Sequence, residues 1–375
     1  MADKDKGNKK PEWVDKNRPD IFATQIMNGV AETRSVSPRT DRKRPKKPEL
    51  SVEDLCNGIL ENDKMVLGRA ITLIESNHPD HQAKGKAVLK QIAPHTGKAI
   101  RIGISGVPGA GKSTLIETFG LYLIRQGFKV AVLAVDPSSA RFGGSILGDK
   151  TRMEQLAKET DSFIRPSPSG GSLGGVTRKS RESILICEAA GFDVILVETV
   201  GVGQNEISVR SMVDFFLLVM ISGAGDELQG IKKGVVEIAD ALIINKADGD
   251  NIDRAEMAAA EYRQAFKYLE NATAGWKTEV RTCSALKQTG IPEIWEMIRR
   301  FESLTRKTGI FERRRKEQKF SWVKSMAEGE ILNSFYRDPE IVALMEQIET
   351  QVKSGQMLPT EASDLIIAAY LKRIQ

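Results

Sequence analysis

An apolar, β-branched run, AIRIGISG at 99–106, leads directly into GVPGAGKS at 106–113, and a helical stretch, STLIETFGLYLIRQG, follows. This is the pattern G-x-x-x-x-G-K-[ST] in a strand, loop and helix setting. No other feature constrains the fold as tightly. A strand that feeds a helix through a glycine loop calls for a parallel neighbour reached by a crossover. Further strand candidates are KVAVLAVD, FDVILVET, DFFLLVMI, ALIINK and VRTCSA, mostly separated by helical patterns. Continuous apolar strands of this kind belong to parallel sheets buried on both faces. The expected fold class is therefore α/β, a mostly parallel sheet covered on both faces, over about residues 98–305.

Helical extensions flank that block. Ser51 precedes VEDLCNGIL with Asp54 three residues on, the pattern of an N-cap with an acid in the first turn. Two more helices are expected over 64–76 and 80–92, completing an N-terminal helical segment at 51–97. Residues 306–375 are charged and helical. In DPEIVALMEQIETQVKSG, Asp338 is the expected N-cap, Pro339 the first helical residue and Gly355 the terminator. Ile341, Leu344, Met345, Ile348 and Val352 form one apolar stripe, which must pack on this chain or on a second subunit.

Charge separates the first fifty residues from the rest. They carry thirteen Lys and Arg against eight Asp and Glu, so the chain totals of 55 and 50 leave 42 of each for the remainder. The net charge of +5 thus belongs to a tail without apolar periodicity, expected to be disordered. It reads as a solvated arm or as a docking segment for an acidic partner. A nucleic-acid-binding fold is not implied. The longest strongly apolar run, FFLLVMI, is far too short to span a bilayer, so no membrane partner is expected. The N-terminus has neither the apolar core of a secretory signal nor the acid-poor composition of a transit peptide. Cys56, Cys187 and Cys283 are scattered without a CxxC pair, which fits a reducing cytoplasm. His78, His81 and His95 are too dispersed for a zinc site, and exposed loop positions are expected.

The chemistry concentrates at strand ends. In the glycine loop, Gly106, Gly109, Ala110 and Gly111 let the backbone wrap phosphates, whose charge meets a positive helix terminus with Thr114 in its first turn. Lys112 reaches the β- and γ-phosphates, and the Ser113 hydroxyl can ligate Mg²⁺. NKAD at 245–248 also ends a strand. The Asp248 carboxylate can accept both N–H groups of the guanine edge, a pattern adenine lacks. Asn245 would brace loop and base, the stem of Lys246 would cover the ring, and Ser284, Ala285 and Leu286 stand in position to close over it. The plain alternative is a strand-end turn. In ETVGVGQ, Glu198 sits where an acid meets Mg²⁺ or its water shell, Gly201 can offer its amide to the γ-phosphate, and Gln204 is a candidate for orienting the attacking water. Asp136 ends the second strand, and Asp149 follows in GGSILGDKTRM. Two acids near a polyanion call for a cation between them, although Asp149 also suits the N-cap of KTRMEQL. RPSPSGGSLGG at 165–175 has linker composition, yet its place inside the sheet block suggests a nucleotide-responsive loop.

These segments, together with SGAGDELQGIKKG, resemble the MeaB/ArgK family, the G proteins associated with methylmalonyl-CoA mutase. The similarity spans about 50–375 and is densest at 100–290. Asn205 departs from the serine expected there. The resemblance implies a P-loop GTPase that binds GTP or GDP with Mg²⁺ and works as a homodimeric chaperone of an adenosylcobalamin-dependent acyl-CoA mutase. It further implies a phosphate and Mg²⁺ site at Lys112, Ser113, Asp136, Asp149 and Glu198, and a dimerisation arm within 306–375. The loop 222–234 matches the family's additional switch segment. Its glycines permit two backbone states, and Asp226, Glu227, Lys232 and Lys233 offer exchangeable ion pairs; the alternative is a solvated loop with incidental charge. Two competing readings are a kinase of a transport-system binding protein and a metal-delivery GTPase for nickel or zinc enzymes. Nothing here resembles a protein-kinase catalytic loop, and the chain has no Cys- or His-rich motif for the second.

Overall fold

The structure, a computed structural model, describes residues 50–135, 153–166, 173–199, 205–223 and 233–374. Asp136, Asp149, Gly201, Gln204, Asp226, Glu227 and Lys232 lie outside the described residues, as does the basic tail.

Seven strands form one sheet: β1 (Ile100–Gly106), β2 (Val130–Val135), β3 (Ser162–Arg165), β4 (Val194–Thr199), β5 (Phe215–Ile221), β6 (Ala241–Asn245) and β7 (Glu279–Thr282). Their order is β3-β2-β4-β1-β5-β6-β7, and every neighbouring pair is parallel. All residues of β2, β4 and β6 are buried, as unbroken apolar strands covered on two faces require. Six strands follow the expected runs. The seventh, β3, was not anticipated: SFIR is four residues long, sits at an edge and ends on an arginine, so it has no long apolar run to betray it.

Helices α4 (Lys112–Arg125) and α9 (Ile291–Lys307) cover one face. There Phe119 meets Trp295 at 6.2 Å between ring centroids, and Phe215 of β5 meets Phe301 at 4.9 Å. Phe216 points to the opposite face, beside Gly103 and Val209 of α6 (Asn205–Arg210). Next to α6 lies α5 (Leu173–Ala189), joined by the Arg181 Nη2 to Ser211 Oγ bond of 2.6 Å. This helix absorbs Leu173–Gly175, so the linker-like segment anticipated at 165–175 is shorter than its composition suggested. The short α7 (Lys233–Glu237) precedes β6, and α8 (Ile252–Ala265) packs beside β6 and β7.

The N-terminal helices are α1 (Val52–Leu60), α2 (Lys64–Glu75) and α3 (Pro79–Ile92). Ser51 caps α1 in a capping box with Asp54. Ile59, Leu67, Ile71, Val88 and Ile92 join the same apolar core as the sheet. Lys64 Nζ donates to the Glu159 carbonyl at 2.9 Å, and Arg165 pairs with Glu75. His78 is the N-cap residue of α3 and His81 lies in its first turn, so both are exposed as expected but His81 is helical rather than in a loop, with Nδ1 2.8 Å from Ser76 Oγ.

Three helices close the chain: α10 (Ile310–Arg337), α11 (Pro339–Lys353) and α12 (Pro359–Ile374). Asp338 caps α11, accepting from the Glu340 and Ile341 amides at 2.9 and 3.3 Å. Ile341, Ile348 and Ala362 are buried, whereas Phe320, Val323, Ile331, Leu332 and Tyr336 of α10 face outward. No described helix is long and apolar enough to cross a membrane. The three cysteines are buried and form no disulfide.

Candidate nucleotide site

The chain leaves β1 toward β2 but leaves β5 toward β6, so the connections diverge over the carboxyl ends of β1 and β5. Such a switch point opens a crevice for a ligand. The glycine loop occupies it for steric reasons. Gly106 has φ of +152°, and a Cβ there would stand 1.9 Å from the Val219 carbonyl oxygen of β5. Gly111 has φ of +81°, and its Cβ would stand 2.8 Å from Asn245 Nδ2. At Gly106 a side chain would drive into backbone, and at Gly111 it would be strained and crowd Asn245. Helix α4 starts at Lys112 with no side-chain cap and no acid in its first turn, leaving its terminal amides and dipole available to an anion.

Lys112 Nζ donates to the carbonyls of Gly106 at 2.9 Å and Val107 at 3.2 Å, so the ammonium lies across the loop it serves. Burial pushes its pKa down, and the nearby carboxylates of Glu198 and Glu206 oppose that shift. Thr114 follows on α4, exposed, while Ala110 is fully buried. Ser113 Oγ donates to Glu198 Oε1 at 3.1 Å, joining the helix start to the end of β4. Both are hard oxygen donors of the kind Mg²⁺ takes, so their chemistry fits that ion. Asp136, Asp149, Gly201 and Gln204 lie outside the described residues. Among the described residues, no group of three or more His, Cys, Asp or Glu side chains gathers to hold a metal.

The second half of the site is built around Asn245, which is buried at the end of β6. Its Nδ2 donates to the Ala110 carbonyl at 2.8 Å, and its Oδ1 accepts from the Ala285 amide at 3.1 Å and from Cys283 Sγ at 3.4 Å. One side chain thus fastens the phosphate loop, the NKAD turn and the SAL segment together. Lys246 adopts φ of +60°, unusual for a non-glycine residue. Ser284 Oγ donates to the Asp248 carboxylate and accepts from the Lys287 amide at 3.0 Å, so the acid is aimed by its neighbour. Leu286 is exposed, at the rim.

Sequence reasoning missed four contributors. Thr118 Oγ1 donates to the Ala285 carbonyl at 3.0 Å from one turn inside α4. Cys283 supplies the thiol contact to Asn245. Glu206, buried at the start of α6, contributes its charge at Lys112. Asn251 donates from Nδ2 to the Lys246 carbonyl at 2.7 Å. Cys283 directly adjoins the SAL segment, while Glu206, Asn251 and Thr118 lie two, three and five residues beyond ETVGVGQ, NKAD and GVPGAGKS.

The family described as "Methylmalonyl Co-A mutase-associated GTPase MeaB" matches residues 67–340, most of the chain and all of this site. The chain belongs to the MeaB family. Among relatives of this MeaB-family protein, the GTPase ArgK of Escherichia coli is 45% identical over 311 residues, covering 83% of this chain and 94% of its own. The mitochondrial "Methylmalonic aciduria type A homolog" of Mus musculus is 41% identical over 337 residues, covering 87% and 81%. A solved structure described as "LAO/AO transport system kinase" superposes with a TM-score of 0.69 at 37% identity, covering 87% of this chain and 99% of that one. The MeaB-family chain is accordingly a P-loop GTPase that binds guanine nucleotide, related to the methylmalonic aciduria type A homologues.

Proposed function

We propose that this MeaB-family GTPase is a Mg²⁺-dependent chaperone of an adenosylcobalamin-dependent acyl-CoA mutase of the methylmalonyl-CoA type. Hydrolysis would gate cofactor loading and protect the mutase. The observation that carries the reading is the match of the mutase-associated family across 67–340, which includes every described part of the nucleotide site.

The site residues would divide the work as follows. Lys112 exchanges its two carbonyl partners for phosphate oxygens, and the α4 amides hold the same phosphates. Ser113 and Glu198, with Asp136 and Asp149, hold the metal or its water shell. When bound, Mg²⁺ supplies Lewis-acid charge at the phosphate oxygens. Gly201 offers an amide to the γ-phosphate and Gln204 orients the water. Asp248 reads guanine, Lys246 covers the ring, and Ser284, Ala285 and Leu286 enclose the base. The loop with Asp226, Glu227, Lys232 and Lys233 communicates with the mutase. The outward apolar side chains of α10 support a homodimer arm within 306–375. The buried free cysteines accord with a cytoplasmic setting.

The test is GTP hydrolysis with Mg²⁺, with and without an adenosylcobalamin-dependent acyl-CoA mutase from the same source, and with ATP as control. GTP-specific stimulation is the expected result, and no response to any such mutase overturns the partner assignment. Neutralising Lys232 and Lys233 together should weaken stimulated hydrolysis more than basal GTP binding; equal loss of both would remove that loop from the reading. A second reading, a kinase acting on a transport-system binding protein, is favoured by the description of the solved relative alone. Transfer of labelled γ-phosphate to such an acceptor would establish it.

A further inference from the structure

We propose that Asn251 is a positioning residue that ties recognition of the guanine base to the end of β5, where residues 222–234 begin. This rests on the reading of Asp248 as the guanine acceptor. Asn251 occupies the N-cap of α8, a place where asparagine normally hydrogen-bonds the first turn. Here its side chain makes no cap bond. It faces backward instead. Nδ2 donates to the Lys246 carbonyl at 2.7 Å, and Oδ1 accepts from Ser222 Oγ at 2.7 Å. The Asn251 backbone amide also donates to the Asp248 carbonyl at 3.1 Å.

The position of this bridge in the sheet gives it meaning. The β5–β6 ladder ends at the pair Ile221 and Asn245. Ser222 and Lys246 are the next residues on each strand, beyond the last rung. Asn251 continues the connection with a side chain where the backbone ladder stops. On one side it holds Lys246, whose left-handed φ of +60° is disfavoured for a side-chain-bearing residue and turns the chain toward Asp248. On the other it holds Ser222, just before Gly223 turns away with φ of +81°. A base that orders Lys246–Asp248 thereby fixes the Asn251 amide, and with it the acceptor that Ser222 uses. Thermodynamic linkage makes the effect mutual: whatever draws Ser222 away loosens the base loop by the same factor.

The experiment uses the full chain and two ligands, GDP and inorganic pyrophosphate, each with Mg²⁺, so that phosphate and base contributions separate. Affinities are measured by calorimetry, and amide exchange is followed over 216–223. In the wild type, GDP should slow exchange at Ser222 and Gly223 more than saturating pyrophosphate does. Asn251→Ala should leave pyrophosphate affinity unchanged, weaken GDP about three- to tenfold, and abolish the additional protection. Ser222→Ala should abolish the additional protection with a smaller loss of GDP affinity, and Ser222→Thr should restore it. This pair leaves Asn251 in place and decides the question should Asn251→Ala not fold. Wild-type GDP affinity in Asn251→Ala, parallel loss of pyrophosphate binding, or base-dependent protection surviving in both alanine variants would each overturn the proposal. Asp248→Asn isolates the underlying reading: unchanged GDP affinity there overturns the base assignment itself, whatever Asn251 does.

Discussion

At the carboxyl ends of the strands, Lys112 is held by two carbonyl oxygens and Ser113 by one carboxylate oxygen. At the amino ends, Arg101, Arg210 and Arg315 are each clasped by both oxygens of one carboxylate. Arg101 binds Glu188 with two bonds of 2.9 Å, Arg210 binds Asp240 at 2.6 and 3.1 Å, and Arg315 binds Asp214 at 2.7 and 2.6 Å. The carboxylates are further satisfied by backbone amides, Asp240 by Phe216 and Asp214 by Arg101. Burial disfavours the charged guanidinium of Arg315, yet hydrogen bonds and charge from Asp214 more than offset this and its pKa is raised. At the opposite pole burial is not offset, and the Lys112 pKa falls. One end is a closed set of bidentate pairs that also anchors α10 through Arg314, Arg315 and Gln318. The other end leaves its cation with neutral partners that an incoming phosphate can replace.

This contrast is sharpest for substitutions that unbalance the closed end. Asp240→Ala removes a fully buried carboxylate and leaves the Arg210 guanidinium unpaired, which should destabilise the fold by about 3–5 kcal/mol. Urea unfolding of the apo chain checks it, and a loss below about 1 kcal/mol would mean that the network is no stronger than a surface pair. Lys112→Met should do the reverse. Hydrolysis should fall by about 10²–10³-fold, while apo stability holds or rises because a desolvated ammonium is gone. Single-turnover rates and unfolding midpoints together decide whether the two properties separate. Gly111→Ala should fall between these cases. The added Cβ meets Asn245 Nδ2 and the φ of +81° is disfavoured, for a stability loss of about 1–3 kcal/mol, accompanied by weaker nucleotide binding in calorimetry.

The smallest effect concerns pH. Burial pushes the Cys283 thiol from its ordinary 9.0 up to about 12. The folded chain then keeps a proton that the unfolded chain releases. The contribution of this thiol is intact below 9.0 and is lost as pH rises toward about 12. Cys283→Ala should therefore flatten the alkaline decline in urea midpoints between about pH 8 and pH 11, leaving the slope at neutral pH unchanged. A parallel decline in both proteins would show that Cys283 opens to solvent before the chain unfolds.

Much of the site was legible because its residues act locally. The loop glycines, Lys112 and Ser113 lie in one eight-residue stretch, and the φ angles found at Gly106, Gly109 and Gly111 are those that such a loop requires. Asp248 was legible as a candidate from the chemistry of a guanine edge, and Asn245 as the residue that would brace it from the same four-residue turn. Their supports were not legible, because Thr118, Cys283 and Asn251 act through contacts spanning 167, 38 and 5 residues in sequence, and nothing in a threonine or cysteine announces its partner. Asn251 was illegible for a further reason: an asparagine beside a helix start has the pattern of a cap, whereas its side chain makes no cap bond.

The sequence by itself determined the alternation of strands and helices, the phosphate loop and the guanine-type turn, since periodicity and local backbone demands are written over a few consecutive residues. It also determined the capping of α1 and α11, which depends on groups two or three residues apart. Only the tertiary structure decided the strand order, the edge strand β3, the burial of α1–α3 against the sheet's core and the pairing of Arg101, Arg210, Arg314 and Arg315 with carboxylates or carbonyls at the amino ends. Those outcomes depend on which distant surfaces bury each other, and a charged residue that looks solvated in the sequence becomes structural when the fold encloses it with its partner.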